Sequence, residues 1–151
     1  MNLPRSTYPP LNMHFAVEFD YKELRDDKNF QSVQGLKVRV CENENKKGTY
    51  VKFDNIVLKR AYQPESHLVK WCMDAINNSK IKPVNLTVKL LNANHEILSA
   101  WNIEKAVPVA WGVDELHAQD TKILIETIEL SYLSFKVLTT KRNVKPPIRK
   151  K

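Results

Sequence analysis

One stretch limits the folds open to this chain: residues 53–79, FDNIVLKRAYQPESHLVKWCMDAINNS. It reads as a strand, a corner and a helix. Phe53, Ile56, Val57 and Leu58 form a short apolar run between polar residues, the pattern of a strand. Pro64 has no N–H to donate, so pairing stops there. Ser66 can cap the first turn of a helix with its hydroxyl. Leu68, Trp71, Cys72, Ala75 and Ile76 then recur at helical spacing and make one apolar stripe, with Lys70 and Asp74 opposite. The packing set expected on this helix is Leu68, Trp71, Cys72 and Ile76. Asn77-Asn78-Ser79 ends it. No other segment carries a convincing long helical period, so strands must supply the rest of the core and share this helix as cover.

Period-two alternation locates those strands. Met13–Asp20 places Phe15, Val17 and Phe19 on one side. A second strand is expected over Phe30–Glu42, with Leu36, Val38 and Val40 inward, Lys37, Arg39 and Cys41 outward, and Gly35 marking a bulge or bend. Residues 42–48, ENENKKG, form a polar loop. Val84–Leu91 has the cleanest alternation in the chain. Asn92–His95 turns it back into Glu96–Ile103, a hairpin. Lys105–Trp111 is apolar, but Pro108 is expected to break its ladder. Val113–Asp120 reads as a loop or one helical turn.

Lys122–Leu138 is expected to be one long strand with a bend. It is apolar on both faces: Ile123 and Ile125 on one, Leu124, Ile128, Leu130 and Tyr132 on the other. A strand of a free antiparallel sheet usually keeps one wet face, so two dry faces call for deep burial or a second subunit. Ile123, Ile125, Ile128, Leu130 and Tyr132 are therefore the candidate interface strand. The expected fold is mainly β: an antiparallel β-barrel or sandwich of six to seven strands with one α-helix packed on it.

At 151 residues the chain fits one domain, spanning 13–140. Residues 1–12 hold three prolines and form an extended lead-in. Residues 141–151 form a basic tail. The formal net charge is +7, and Lys141, Arg142, Lys145, Arg149, Lys150 and Lys151 nearly account for it. This tail is either a solvated end or an arm that docks on an acidic neighbour. No apolar run approaches the roughly 18 residues of a membrane span. No signal-type h-region is present. Assembly in the cytoplasm without stable membrane insertion is expected.

Chemistry is hard to find. Gly35, Gly48 and Gly112 are the only glycines and cannot build a phosphate loop. His14, His67, His95 and His117 lack metal-ligand spacing. Cys41 and Cys72 read as reduced thiols. Glu126 and Glu129, three apart on a strand, point to opposite faces, which is poor geometry for a carboxylate pair. No catalytic residue, metal, cofactor or small-molecule substrate is expected. The basic charge and Trp71, Trp101 and Trp111 leave one alternative, an OB-like barrel binding single-stranded nucleic acid, although the tryptophans sit within apolar patterns.

The order of segments resembles the T4-type tail-tube protein family of contractile phages and phage-tail-like injection systems. The matching pieces are HFAVEFD, FQSVQGLKV, FDNIVLKRAY before a helix carrying Leu68 and Trp71, VNLTVKLLNANHEILSAWNIEKAVPVAW, and IETIELSYLSFKV. They cover about residues 13–137. The resemblance implies a subunit without an active site. It implies self-association in six-fold rings that share strands in a ring-wide inner β-barrel and stack into a tube. Sheath and baseplate proteins would be partners, and nucleic acid would enter only as lumen cargo. Closing a sheet across subunits would remove edges that otherwise aggregate. The short 42–48 loop, the positive charge and the basic tail depart from the repeating-tube pattern and point toward a specialised ring such as a tube initiator. The repeating subunit is the preferred reading.

Overall fold

A computed structural model describes residues 14–45 and 47–138. The lead-in 1–12 and the tail 141–151 lie outside the described residues. In the described residues, nine antiparallel strands and one α-helix follow in the order β1 (Phe15–Asp20), a 3-10 turn (Lys22–Leu24), β2 (Phe30–Gln34), β3 (Val38–Glu42), β4 (Thr49–Phe53), β5 (Ile56–Ala61), α1 (His67–Asn77), β6 (Val84–Leu91), β7 (Ile97–Val113), β8 (Ile125–Ser131) and β9 (Ser134–Leu138). The main sheet runs β1-β6-β7-β8-β5-β2, with β9 also paired to β7, and β3-β4 form a separate two-stranded sheet.

The 17-residue β7 organises this arrangement. Its first part, to Ala106, pairs with β6 on one side. On its other side lie β8 and then β9. The expected long strand with a bend is thus two strands in line along β7, broken at Tyr132–Leu133. Across the break β7 bends too: Lys105 takes a left-handed φ of 60°, and its N–H donates to Asn85 Oδ1 at 2.9 Å. Pro108 interrupts the ladder, as expected, but the strand continues past it. The proline stays within β7 beside a register shift between Pro108 and Ala110, the bulged setting that tolerates a missing N–H.

The core lies between the two halves of the sheet. Val17 and Phe19 of β1, Ile56 and Leu58 of β5, Val84, Leu86 and Val88 of β6, Ile103 of β7, and Ile128 and Leu130 of β8 are buried. The helix closes this core, packing mainly against β7. Ser66 caps it as expected, accepting from the Val69 N–H at 3.1 Å. Leu68, Trp71 and Cys72 are buried, and Ala75 with them. Ile76 is corrected: it is 41% exposed, at the edge of the stripe, while its neighbour Ala75 takes the buried position in that turn. Trp71 meets Phe19 edge-on at 6.1 Å, and its indole N–H donates to the Lys82 carbonyl at 2.9 Å. Full burial of side chains of this size contributes roughly 1.5–3 kcal/mol each.

Two further expectations change. Phe30–Glu42 is not one strand, because Gly35 separates β2 from β3 at φ 102°. A Cβ there would stand 2.0 Å from the Asn55 carbonyl oxygen, so only glycine fits this corner. As a result Val38 and Val40 do not face the core; they are 45% and 70% exposed on the small sheet. Phe53 ends β4, separated from β5 by Asp54 and Asn55, rather than sharing a strand with Ile56 and Leu58.

Candidate functional site

The described residues group no three His, Cys, Asp or Glu side chains that could hold a metal. No described helix is long and apolar enough to cross a membrane. The features that demand explanation are surfaces: the β3-β4 hairpin and the open strand edges.

The hairpin pairs Val38 with Phe53, Arg39 with Lys52, Val40 with Val51, Cys41 with Tyr50 and Glu42 with Thr49. Opposed residues share a face. Val38, Val40, Val51 and Phe53 therefore form one apolar face, and Arg39, Lys52, Cys41 and Tyr50 the other. The base is clamped to the body. Phe53 meets Phe135 at 5.0 Å and Tyr132 at 5.9 Å, both edge-on. Arg39 donates through one amino group to both oxygens of Asp54, at 2.8 and 3.0 Å. The Asp54 N–H donates to the Lys37 carbonyl at 3.0 Å. Burial, with a smaller contribution from the Asp54 charge, pushes the Tyr132 hydroxyl up to about 12. Beyond this clamp Val40 and Val51 stand in solvent, 70% and 56% exposed. A two-stranded ribbon with one dry face is marginal by itself in water, and this face is continuous with the Phe53–Tyr132–Phe135 cluster.

Edges add to the unfinished surface. β1, β2 and β9 each pair on one side only among the described residues. The second part of β7, from Val107, pairs with β8 and has no described strand on its other side. Val109 and Val113 are exposed there.

The candidate interface strand divides. Ile128 and Leu130 are completely buried in the chain's own core, so they cannot meet another subunit. Their face of β8 looks inward, which explains one of the two apolar faces. Ile125 is half-buried on the opposite face, in line with Thr127 and Glu129. Ile123 lies before β8 and is 68% exposed. Tyr132 belongs to the aromatic clamp beneath the hairpin. The docking-tail residues Lys141, Arg142, Arg149, Lys150 and Lys151 fall outside the described residues.

One buried polar constellation was missed in the sequence. Arg60 of β5 is wholly buried. Its Nε donates to Glu126 Oε2 at 2.6 Å, and an amino group reaches Asp27 Oδ1 at 3.1 Å and Ser66 Oγ at 2.8 Å. Trp111 Nε1 donates to Glu126 Oε1 at 2.8 Å. The Phe30 ring lies 5.4 Å from the guanidinium. This network ties β5, β7, β8, the helix cap and the turn after β1 together. Only the run LKR before the helix hinted at it: Arg60 shares a face with Ile56 and Leu58, the wrong place for a solvated arginine. Beside the network, burial and then the Glu126 charge push the Cys72 thiol up to about 12, making it unreactive. Glu126 and Glu129 do face opposite ways, as expected.

The tryptophans form no stacking platform: Trp71 is buried, Trp111 is held by Glu126, and Trp101 packs against the core.

Comparison with known proteins agrees with this architecture. A chain of the anti-feeding prophage baseplate, six-fold symmetrised, superposes with a TM-score of 0.67 at 20% identity, over 89% of this chain and 99% of that one. A chain of the PVC extracellular contractile injection system, from the sheath-tube complex in its extended state, gives 0.68 at 20% identity, over 91% and 99%. Hcp1 from Flavobacterium johnsoniae gives 0.58 at 12% identity, over 82% and 93%. At these identities the likeness speaks for the fold. No curated protein matches the chain in sequence. The sequence profile that matches it does so over residues 11–136, nearly the whole domain. The chain belongs to the family of the T4-like virus tail tube protein gp19, and is a structural tube protein.

Proposed function

We propose that this chain is the repeating, ring-forming subunit of the inner tube of a contractile tail or injection particle, with no enzymatic role. The observation that carries the reading is the combination of open edges and the exposed apolar face of the β3-β4 hairpin. A subunit built this way is completed by copies of itself. The edges of β1 and β2 are unlike, so a contact between them is heterologous and generates a ring when the rotation closes. Pairing edge to edge across copies satisfies backbone groups that are otherwise left to water. The six-fold symmetrised baseplate that holds one similar chain supports a six-fold ring and a baseplate partner, and the sheath-tube complex that holds another supports a sheath partner. Assembly would take place in the cytoplasm before the particle forms.

Electron microscopy of the purified full chain over a range of concentrations tests this. Closed rings, or tubes of stacked rings, are expected. Compact monomers at every concentration, with all edges already paired within one chain, would overturn it.

A further inference from the structure

The connection from β7 to β8, residues 114–124, encloses an open groove of about 570 Å³ whose apolar lining includes Leu116, Ile123, Leu124 and Ile125. Leu116 and Ile123 are 76% and 68% exposed, a large apolar surface for a connecting loop. The lining is also acidic: it holds Asp114, Glu115 and Asp120 against one lysine, Lys122, and one histidine, His117. No ion pair joins these three carboxylates to a described cation. The groove thus combines exposed apolar side chains with carboxylates that no described cation pairs.

The chain itself carries a complementary segment. Residues 139–151, TTKRNVKPPIRKK, hold six cations, no acid, and two aliphatic residues, Val144 and Ile148. This segment leaves β9 where Leu138 pairs with Ala100, near the start of β7. The groove lies past Val113, at the other end of that strand. From Ala100 to Val113 the path along β7 is about 43 Å at ~3.3 Å per residue. To lie in its own groove the segment would have to run back along that length. In a stack whose axis follows β7, a second copy placed head to tail would bring its groove to the end where the segment starts, and such a heterologous contact repeats without limit.

We propose that the basic segment 139–151 of one copy lies in the acidic β7-β8 groove of the next copy in a stack. This rests on the tube-subunit reading. Lys and Arg would pair with Asp114, Glu115 and Asp120, while Val144 and Ile148 cover Leu116 and Ile123. The segment would link one ring to the next, a contact separate from the strand edges that close each ring.

The test uses the full chain and separates ring closure from stacking. The loop variant Asp114→Lys/Glu115→Lys/Asp120→Lys and the tail variant Lys141→Glu/Arg142→Glu/Lys145→Glu are imaged alone and mixed. Each alone should keep rings and lower the ratio of stacked to single rings about tenfold, and mixing them should restore alternating stacks. Raising salt from about 50 to about 500 mM should shorten wild-type stacks. Glu115→Cys and Lys145→Cys, placed on differently tagged copies in a Cys41→Ser background, should form a disulfide between copies. A disulfide formed only within one chain carrying both changes would assign the groove to its own tail and overturn the proposal. Stacks of unchanged length and salt sensitivity in both charge variants would also overturn it, leaving the tube reading intact. Absence of rings in the wild type would overturn both.

Discussion

Arg60 lies at the centre of the buried network, and removing it isolates the cost of burying charge in this fold. Arg60 and Glu126 are completely buried and Asp27 is 4% exposed. Arg60→Met keeps most of the side-chain volume and deletes the donors to Glu126, Asp27 and Ser66. Two carboxylates are then left buried without their cation, which costs about 3–5 kcal/mol. With a urea m-value of roughly 2 kcal/mol/M for a domain of this size, the unfolding midpoint should fall by about 1.5–2.5 M. The melting temperature should fall by about 6–20 °C. The companion Asp27→Asn/Arg60→Met/Glu126→Gln removes all three charges at nearly constant volume and leaves Trp111 an acceptor. It should recover part of the loss, leaving about 1–3 kcal/mol for hydrogen bonds no longer made. Both variants are compared with wild type by urea unfolding followed by tryptophan fluorescence, at a concentration where the protein is monomeric. A loss below about 1 kcal/mol for Arg60→Met would mean water replaces the guanidinium freely. A triple variant no more stable than the single one would mean that packing, rather than charge, sets the cost. Either result refutes the reasoning.

Other expectations are simpler to check. Gly35→Ala places a methyl group 2.0 Å from the Asn55 carbonyl oxygen at a left-handed φ and should cost more than about 2 kcal/mol in the same unfolding assay, since the Cβ penalty at positive φ is added to a backbone clash. Val40→Lys, at a 70% exposed position in the middle of β3, should leave the melting temperature of the monomer within about 2 °C yet prevent rings or stacks in sedimentation. Tyr132 ionises near 12 in the folded chain against 10.0 for the free side chain; its contribution is complete below pH 10, declines between these two values, and should appear as the last tyrosinate step at 295 nm, a step absent in Tyr132→Phe. Thiol labelling of the folded protein should modify Cys41 and spare Cys72, whose thiol is held near 12 by burial; both should react in urea.

Local patterns predicted the elements whose burial follows from their own periodicity. Val84–Leu91 alternates cleanly and is a strand with Val84, Leu86 and Val88 inside. Ser66 and the stripe of Leu68, Trp71 and Cys72 marked the helix correctly. Where alternation continued across a break, the sequence misled. Leu36, Val38 and Val40 alternate like a core strand, but Gly35 turns the chain so that only Leu36 reaches the core. Ile128 and Leu130 looked like interface residues because the strand is apolar on both sides; only the three-dimensional pairing reveals which side has a core against it. Pro108 marked the interruption of the ladder, but not that a register shift there lets the strand run on to Val113. The Arg60 network depends on residues 27, 60, 66, 111 and 126, far apart in the chain, and no local pattern joins them. Family resemblance supplied what periodicity could not, the order of the segments and the role of the whole.

The single strand running through both halves of the sheet has a mechanical consequence. β7 is zipped to β6, β8 and β9 in antiparallel register, so any force tending to slide one half past the other loads many hydrogen bonds in shear at once. The covalent backbone of one segment spans the seam, and its bends at Lys105 and Pro108 act as built-in corners. A subunit made this way resists such sliding as a unit and does not yield layer by layer, so a load taken at one edge of the sheet passes through β7 to the other edge.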